Sequence, residues 1–562
     1  MRHDIPALKK KTEDRVTLDN RVRSFITPQR IVYQVGDIQN GQVLLQNRTA
    51  QQSLGIETYC EFPGKASILL DYGFEFQGGI GISISGTSEP TQKTVRLRIR
   101  FGESAQEAMS DVEASSATND HAVRDQIVEV SSFYGYAEIG LSGFRFVRID
   151  SLEENVAIHI KSIQGVFLYE DLEYRGSFCC DDPLLNQIWE VGAYTVHLNI
   201  QNYIWDGIKR DRLVWIGDIH PEVSTVLSVF GQNPCIPNSL DFIRDTTPAD
   251  RWMNEIPAYS MWWLLIHKQW YLHTGDLAYL QDQRAYMRQV AEHIGSFVQE
   301  DGEDTIAHYF LDWPSSNDSI ACKIGVRALL VMALEAAGLM LKAMGEEKTA
   351  TKCQRWAQLV RSREVKTYGN KQSAALLALA GMADPQMINQ SCLQGVQDVS
   401  TFFGFYILKA KALAGDMEGA LALVRRFWGG MLSLGATTFW EDFDVRWLEN
   451  AARIDELTPE GKVDVHAAYG QYCYSGYRHS LCHGWASGPT PWMSQYVLGV
   501  QILEPGCRKV AIRPQLGNLQ WVEGSYPTPY GNIWIRHEKK EDGSLRSVIN
   551  APREVEIVGG DA

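Results

Sequence analysis

Between about residues 30 and 170, apolar and polar positions alternate in short runs separated by turn residues. Val95-Arg96-Leu97-Arg98-Ile99-Arg100-Phe101 puts every second side chain on an apolar face, the period of a half-buried antiparallel strand. Ile80 to Ser85 alternates in the same way, and Gly79 and Gly81 allow a close backbone approach or a bulge. Gly143 to Ile149 and Val156 to Ile160 read as two further strands. Short strands at regular intervals predict a β-sandwich. Ahead of them, residues 1–25 are polar and irregular, an arm or a first edge strand.

The pattern changes between Glu170 and Cys180. From Asp182 to about Gly499 apolar residues recur at helical spacing. The stretches are Pro183–Gly192, Met261–Tyr271, Leu277–Val298, Ile324–Met344, Thr349–Val360, Gln372–Ala380, Phe402–Ala414, Glu418–Phe427 and Pro491–Leu498. Paired helices over so long a stretch predict a helical toroid, with small-residue segments such as Ala328–Ala343 in its tightly packed inner layer. From Leu503 strands return, as Val510–Pro514 and Gly531–Arg536, with Tyr-Pro-Thr-Pro-Tyr-Gly at Tyr526–Gly531 as a turn. The expected organisation is therefore a β-sandwich domain over 1–175, a helical domain over 176–502 and a small β-domain over 503–562. A chain of 562 residues exceeds one ordinary core, in keeping with that division.

Composition narrows the classes. With 53 basic and 68 acidic residues the net charge is −15, which argues against nucleic acid as the main partner, because phosphate backbones need a basic footprint. No segment approaches the ~18 consecutive apolar residues of a membrane span, so no membrane partner is expected. Ten Cys are scattered without a C-x-x-C pair or a metal spacing with His. Adjacent Cys179 and Cys180 cannot readily pair with each other. The pattern reads as reduced thiols in a cytoplasmic chain, with a periplasmic location left open if a leader has been trimmed. No cofactor is expected, and no metal is required; a bound calcium ion stays open, as does association into a homo-oligomer. Sixteen Trp and 23 Tyr supply either a large aromatic core or platforms for sugar rings.

One stretch concentrates the chemistry. Trp205–Asp218 reads W-D-G-I-K-R-D-R-L-V-W-I-G-D, with three Asp among Lys209, Arg210 and Arg212, and with Trp205 and Trp215 beside them. A solvated charge run leading into a helix would account for the charges. It would not account for Leu213-Val214-Trp215-Ile216 running through the middle. A sugar site needs this mixture: carboxylates and Arg for paired hydroxyls, an indole for an apolar sugar face, and a carboxylic acid to protonate a leaving oxygen.

D-G-I-K-R-D-R-L-V-W-I-G-D resembles the signature of the α-L-rhamnosidases of glycoside hydrolase family 78, which in many members reads D-C-P-x-R-D-E-R-L-G-W-x-G-D, one residue longer on its N-terminal side. From Asp211 to Asp218 the spacing fits without a gap. The phrase G-F-R-F-V-R-I at Gly143–Ile149 resembles the jelly-roll module that precedes the catalytic domain in that family, and the last 60 or so residues resemble its small C-terminal β-domain. The resemblance implies an (α/α)6 barrel for the helical part. It implies an inverting glycoside hydrolase that releases terminal α-L-rhamnose from plant-type glycans or rhamnosylated glycosides. The partner it implies is a rhamnose-containing oligosaccharide or glycoside.

The same resemblance distributes roles. Asp211 matches the general acid, where many members carry Glu; Asp is one methylene shorter, so either the backbone sits closer to the sugar or another group helps, and Glu222 is the spare carboxylate nearby. A general acid must be protonated near neutral pH, so Asp211 needs surroundings that favour the neutral form. Gly435-Ala436-Thr437-Thr438-Phe439-Trp440-Glu441 resembles the family's A-T-T-x-W-E phrase and gives Glu441 the general base role; a helix-capping carboxylate is the bland alternative. Asp206 and Asp218 match hydroxyl-binding carboxylates. Arg210 and Arg212 are expected to bind sugar oxygens or to lock those carboxylates, with Arg212 in the supporting role. Trp215, Trp313 in Leu311-Asp312-Trp313-Pro314, and Trp440 are expected as aromatic walls suited to the C5 methyl of a 6-deoxy sugar. His483, in Ser480-Leu481-Cys482-His483, matches a sugar-contacting His; Glu255, near Tyr259, is a weaker lining candidate. Two rivals remain: another exo-glycosidase on the same toroid, and a catalytically silent carbohydrate-binding protein, for which Asp at 211 is the support and Glu441 the objection.

Overall fold

The computed structural model describes residues 19–559 apart from 56, 112–123, 364 and 366–368, so most of the arm expected at 1–25 lies outside the described residues. The alternating first third of the chain forms antiparallel strands in the order Arg21–Ile26, Ile158–Glu170, Ser67–Thr87, Gly135–Ser151, Thr94–Gly102 and Asp125–Ser131. Arg30–Val35 pairs with Ser67–Thr87, and Cys60–Phe62 with Ile158–Glu170. The hydrogen bonds thus join eight strands into one sheet rather than two separate ones. The reason lies in the 21-residue strand Ser67–Thr87. Its register against Gly135–Ser151 shifts after Asp71 and again between Gly78 and Ile80, and such bulges bend a strand and raise its twist. A Cβ on Gly79 would sit 2.5 Å from the Ile139 carbonyl oxygen, which accounts for the glycine at that bend. Ile68, Tyr72, Ile82, Leu97, Phe144 and Ile163 are fully buried in the core that this sheet makes for itself.

The helical body follows. Most expected helices are present, among them Pro183–Asn199, Pro257–Thr274, Ser319–Ala343, Glu347–Ser362, Gly404–Leu413 and Met417–Ser433. The single helix expected over Leu277–Val298 is two, Leu277–Asp282 and Arg284–Ser296, joined at Gln283. The helix expected at Pro491–Leu498 is one α-turn, Pro489–Trp492, that runs into a π-helical turn, Met493–Val497. Ile219–Val229 and Cys235–Thr246 are helices that periodicity alone did not pick out. Every residue of Ile219–Val229 is buried, the polar His220, Glu222, Ser224, Thr225 and Ser228 included, so its polar positions mark no solvent face. Ser319–Ala343 is long and apolar enough to cross a membrane by length and composition, yet most of it is buried inside the fold, as befits a core helix.

The last strands form two small sheets. One holds Val500–Ile502, Lys509–Ile512 and Glu556–Val558. The other holds Leu545–Asn550, Gly531–Lys539, Trp521–Thr528 and Ser177–Cys180. The expected turn at Tyr526–Gly531 shrinks to residues 529 and 530, because Tyr526, Pro527 and Thr528 still pair with Ile533, Asn532 and Gly531. Ser177–Cys180 comes from ahead of the helices, and Cys180 pairs with Val522.

The β-rich first part is fastened to the helical body by buried polar contacts. Arg145 binds both oxygens of Asp71, at 2.8 and 3.0 Å, and donates to the Gly435 carbonyl at 3.0 Å. Tyr194 donates to the Glu75 carbonyl at 2.6 Å. Deeper in, the ammonium of Lys209 lies 2.9 Å from Glu107 and 3.3 Å from Glu103, and Arg124 lies 3.1 Å from Glu107, all of these side chains being almost wholly buried. Glu103 also accepts the backbone N–H of Leu481 at 2.8 Å. Glu103, Glu107 and His466 are close enough together to suit a cation, and the Lys209 ammonium is the charge that meets the two carboxylates. Removing one partner of such a cluster strands the others, at a cost of about 3–5 kcal/mol. Lys209→Met is therefore expected to lower the urea midpoint sharply, and adding Glu103→Gln, which removes one stranded charge, is expected to restore part of the loss.

Candidate active site

Asp206 and Leu213 close a tight loop. The Leu213 N–H donates to Asp206 Oδ1 at 2.9 Å, and the Asp206 N–H donates to the Leu213 carbonyl at 3.2 Å. Inside the loop, Asp211 and Arg212 both adopt left-handed backbone conformations, with φ of 54° and 52°. Each costs on the order of 1–3 kcal/mol in a residue with a Cβ, so the surroundings must hold them there. Arg212 does so, donating to the Ile208 carbonyl at 3.0 Å and to the Leu141 carbonyl of the β-rich part at 2.8 Å, with its guanidinium 5.7 Å from the Trp205 ring. Arg212 therefore locks backbone carbonyls, not the carboxylates it was expected to hold.

Arg210 is the central connection. One guanidinium nitrogen lies 3.1 Å from Asp211 Oδ1, and another contacts Glu441 Oε1. Glu441 comes from a stretch 231 residues further on. Its other oxygen accepts the Ser480 N–H at 3.1 Å. Its backbone is pinned as well: the Glu441 N–H donates to the Ser480 carbonyl at 2.9 Å, and the Trp485 indole and the Thr401 hydroxyl donate to the Glu441 carbonyl at 3.0 and 2.5 Å. The helix-cap alternative for Glu441 does not arise, because no helix starts there.

Asp218 stands immediately ahead of the helix Ile219–Val229. It accepts the Tyr259 hydroxyl at 2.5 Å and lies 3.5 Å from His483 Nε2. Gly207 and His483 form a β-bridge, and Gly484 N–H donates to the Asp206 carbonyl at 2.9 Å, so the 480–485 segment is laced to the Asp206 loop. Trp215 donates its indole N–H to Asp211 Oδ2 at 3.2 Å.

These side chains surround one cavity of about 230 Å³. Asp206, Arg210, Asp211, Trp215, Asp218, Trp313, Glu441 and His483 all line it. Trp313, 39% exposed, stacks near Tyr472 with ring centres 6.3 Å apart. Trp440 is different. It is fully buried, packs edge-on to Phe443 and His479, and does not line the cavity, so the aromatic wall expected from it is supplied by others. Those are Trp485, Tyr259, Tyr474 and Phe310, with Ile256 and Arg478. Trp485 sits inside the His483 phrase, and Tyr259 one helical turn after Ile256, so an aromatic next to a suspected site residue was the available signal. Glu255 does not line the cavity, although its neighbour Ile256 does. Glu222 is buried beside the site, 3.5 Å from the Asn199 amide, and does not line it either. Its carboxyl fills the space at Gly484, where a Cβ would lie 2.1 Å from it.

Burial and charge separate the carboxyls. Burial, reinforced by the negative fields of Asp211 and Asp218, pushes Asp206 well above the ordinary range. Burial also raises Asp218, against the pull of His483 and Tyr259. Glu222 is pushed well up by burial and by Asp218 and Asp206. Burial alone would raise Glu441 too, but Arg210, His483 and His479 outweigh it, and its pKa falls below the usual value. Burial would lower His483, but Glu441, Asp218 and Asp206 win and raise it. The surroundings thus favour the ionised form of Glu441, the cationic form of His483 and the neutral forms of Asp206, Asp218 and Glu222, the kind of contrast that general acid–base chemistry uses.

Residues 173–390 match the bacterial α-L-rhamnosidase six-hairpin glycosidase domain, and residues 499–558 match the bacterial α-L-rhamnosidase C-terminal domain. The first match includes the Asp206–Asp218 segment and Trp313 but ends before Glu441 and His483. An α-L-rhamnosidase of Alteromonas sp. (strain LOR) is 23% identical over 534 residues, covering 85% of this chain and 54% of that protein. The chain therefore spans about half the length of this relative. Among solved structures, a family 78 rhamnosidase of Bacillus sp. GL1 has a similar fold, with a TM-score of 0.71, 20% identity and coverage of 92% of this chain and 55% of the other. A Klebsiella oxytoca rhamnosidase, solved with rhamnose bound, gives 0.65, 17%, 84% and 96%.

The raised His483 carries a testable sign. A group whose pKa is higher in the folded state stabilises the fold fully below its unfolded value, about 6.5. That contribution is lost as pH rises through the elevated value. The melting temperature of the wild type is expected to exceed that of His483→Asn by most below pH ~6.5, with the gap narrowing steadily at higher pH.

Proposed function

Since this chain belongs to the α-L-rhamnosidases of glycoside hydrolase family 78, we propose that it removes terminal α-L-rhamnose from glycans or glycosides with inversion, its helical body being an (α/α)6 barrel. The observation that carries the reading is Arg210 shared between Asp211 and Glu441. Two carboxyl oxygens on the two ends of one guanidinium stand at most about 8 Å apart. Inverting hydrolases hold their carboxyls roughly 6.5–9.5 Å apart, so that a water fits against the sugar, and retaining ones about 5–5.5 Å apart; the bound admits both, and the family resemblance selects inversion.

Asp211 gives its proton to the glycosidic oxygen as the bond to C1 breaks. Glu441, held ionised by Arg210, takes a proton from a water that attacks C1 from the other face. The products are β-L-rhamnose and the free alcohol; Glu441 then releases its proton and Asp211 regains one from solvent. Asp206, Asp218 and His483 bind ring hydroxyls. Trp215, Tyr259 and Trp485 give the 6-deoxy methyl an apolar wall. A cavity of about 230 Å³ suits one sugar ring, being smaller than the ~300–1,000 Å³ usual for larger ligands. The exposed Trp313 would meet the next group along the substrate. The left-handed turn at Asp211 and Arg212 is the local feature that sets where the shorter Asp reaches. A cytoplasmic setting belongs to the same proposal and is supported by nine unpaired cysteines among the described side chains.

Hydrolysis of p-nitrophenyl α-L-rhamnopyranoside, followed by proton NMR of the released sugar, tests the reading. β-L-Rhamnose is expected first, and Asp211→Asn and Glu441→Gln are each expected to lose about 10²–10⁴-fold in kcat. An inert wild type that still binds rhamnose would establish a binding protein instead.

A further inference from the structure

Two helices that build the active site build a second cavity further along their length. Asp218, just ahead of Ile219–Val229, and Tyr259, in the first turn of Pro257–Thr274, line the catalytic cavity. Further along, Ser224, Leu227, Lys268 and Gln269 line a separate cavity of about 360 Å³. Lys409, from the helix Gly404–Leu413, joins them there.

Two ammonium groups in one half-buried cavity are costly unless something answers their charge. Among the described residues neither Lys268 nor Lys409 has a hydrogen bond or an ion pair. Glu335 attracts Lys268 but is itself held by Arg361 at 2.6 Å. Lys409 has only the Phe405 ring, 4.8 Å from its nitrogen. Gln269 donates to Ser224 at 2.7 Å, while its buried amide oxygen has no partner. Leu227, Leu265, Leu272, Met332 and Leu379 supply an apolar wall, while Gln495 and Gln501 add polar groups to the lining.

We infer that this cavity binds a small organic anion, with a phosphate or carboxylate head between Lys268 and Lys409 and an apolar body against the leucine and methionine walls. The head restores the missing counter-charge, and the body replaces water on the apolar side. The site lies outside the catalytic cavity, and the inference does not depend on what the enzyme cleaves.

Charge balance makes the binding pH-dependent. Burial and the field of Lys268 hold Lys409 down to about 8. Burial lowers Lys268 as well. Of the other titratable groups facing the cavity, His220 is kept neutral by burial and Lys409, and the pKa values of Tyr406, Tyr496 and Tyr526 are raised by burial, so the lysines are the groups that change charge. An anion favours their protonated forms, so affinity falls as pH climbs past 8 towards the ordinary lysine value of about 10.4.

Calorimetric titration of the full chain with phenyl phosphate, and separately with inorganic phosphate, tests the site. Phenyl phosphate is expected to bind at pH 7 more tightly than inorganic phosphate, and at least tenfold more weakly at a pH of about 9.5. Lys268→Met/Lys409→Met is expected to lose binding at least tenfold, yet to melt no lower than the wild type without ligand, since two desolvated charges are gone. Lys409→Arg keeps the charge and is expected to keep binding. No heat with phenyl phosphate, equal affinity in the double methionine variant, or preference for inorganic phosphate would each overturn the inference.

Discussion

The contact on which the site depends is the sharing of one guanidinium by two acidic side chains. Arg210 touches Asp211, its neighbour in sequence, and Glu441, which lies in another part of the chain. Without that cation, two acids would face each other across a small buried cavity, and their repulsion would raise the proton affinity of at least one. With it, Glu441 stays ionised in a place where burial alone would neutralise it. The residue before it works in a different direction. Lys209 meets Glu103 and Glu107, which belong to the β-rich part. Consecutive cations therefore fasten one loop to two sets of acids, and the loop's position is decided by the β-rich part and the helical body together.

This gives the first part of the chain a role in the chemistry without lending it a residue in the cavity. Leu141 receives Arg212 and steadies the left-handed turn that carries Asp211. Glu103 receives the Leu481 N–H, next to the Ser480 N–H that binds Glu441. The sheet is a brace for the two carboxylates, and its buried ions are the bolts.

What could be read from the residues follows a physical divide. Alternation exposed the strand Thr94–Gly102, and amphipathic spacing exposed helices such as Glu347–Ser362, because each shows one face to solvent. Ile219–Val229 stayed hidden for the opposite reason: all its sides are buried, so its polar residues mark no solvent face. The site was legible where chemistry is dense in sequence, from Asp206 to Asp218, and where a short phrase held Glu441 or His483. Trp440 misled because adjacency to Glu441 in sequence says nothing of direction; its side chain, like that of Phe439 before it, entered the core. Arg212 misled because a guanidinium satisfies carbonyls as readily as carboxylates. Tyr259 and Trp485 were marked only by their nearness in sequence to Glu255 and His483, and tertiary folding brought them to the cavity.

The strand Ser177–Cys180 has a consequence in time. Its partner, Trp521–Thr528, is made some 342 residues later, since Cys180 pairs with Val522. At ~5–20 residues per second, a nascent chain waits roughly 17–70 s between the two. Throughout that interval the edge at Ser177–Cys180 has nothing to pair with, while the helices between are already emerging. This small sheet is thus a clasp that closes only after the helices between its strands have been made, and an interrupted chain lacking Trp521–Thr528 would leave an open strand edge at the root of the helical body, available to other chains.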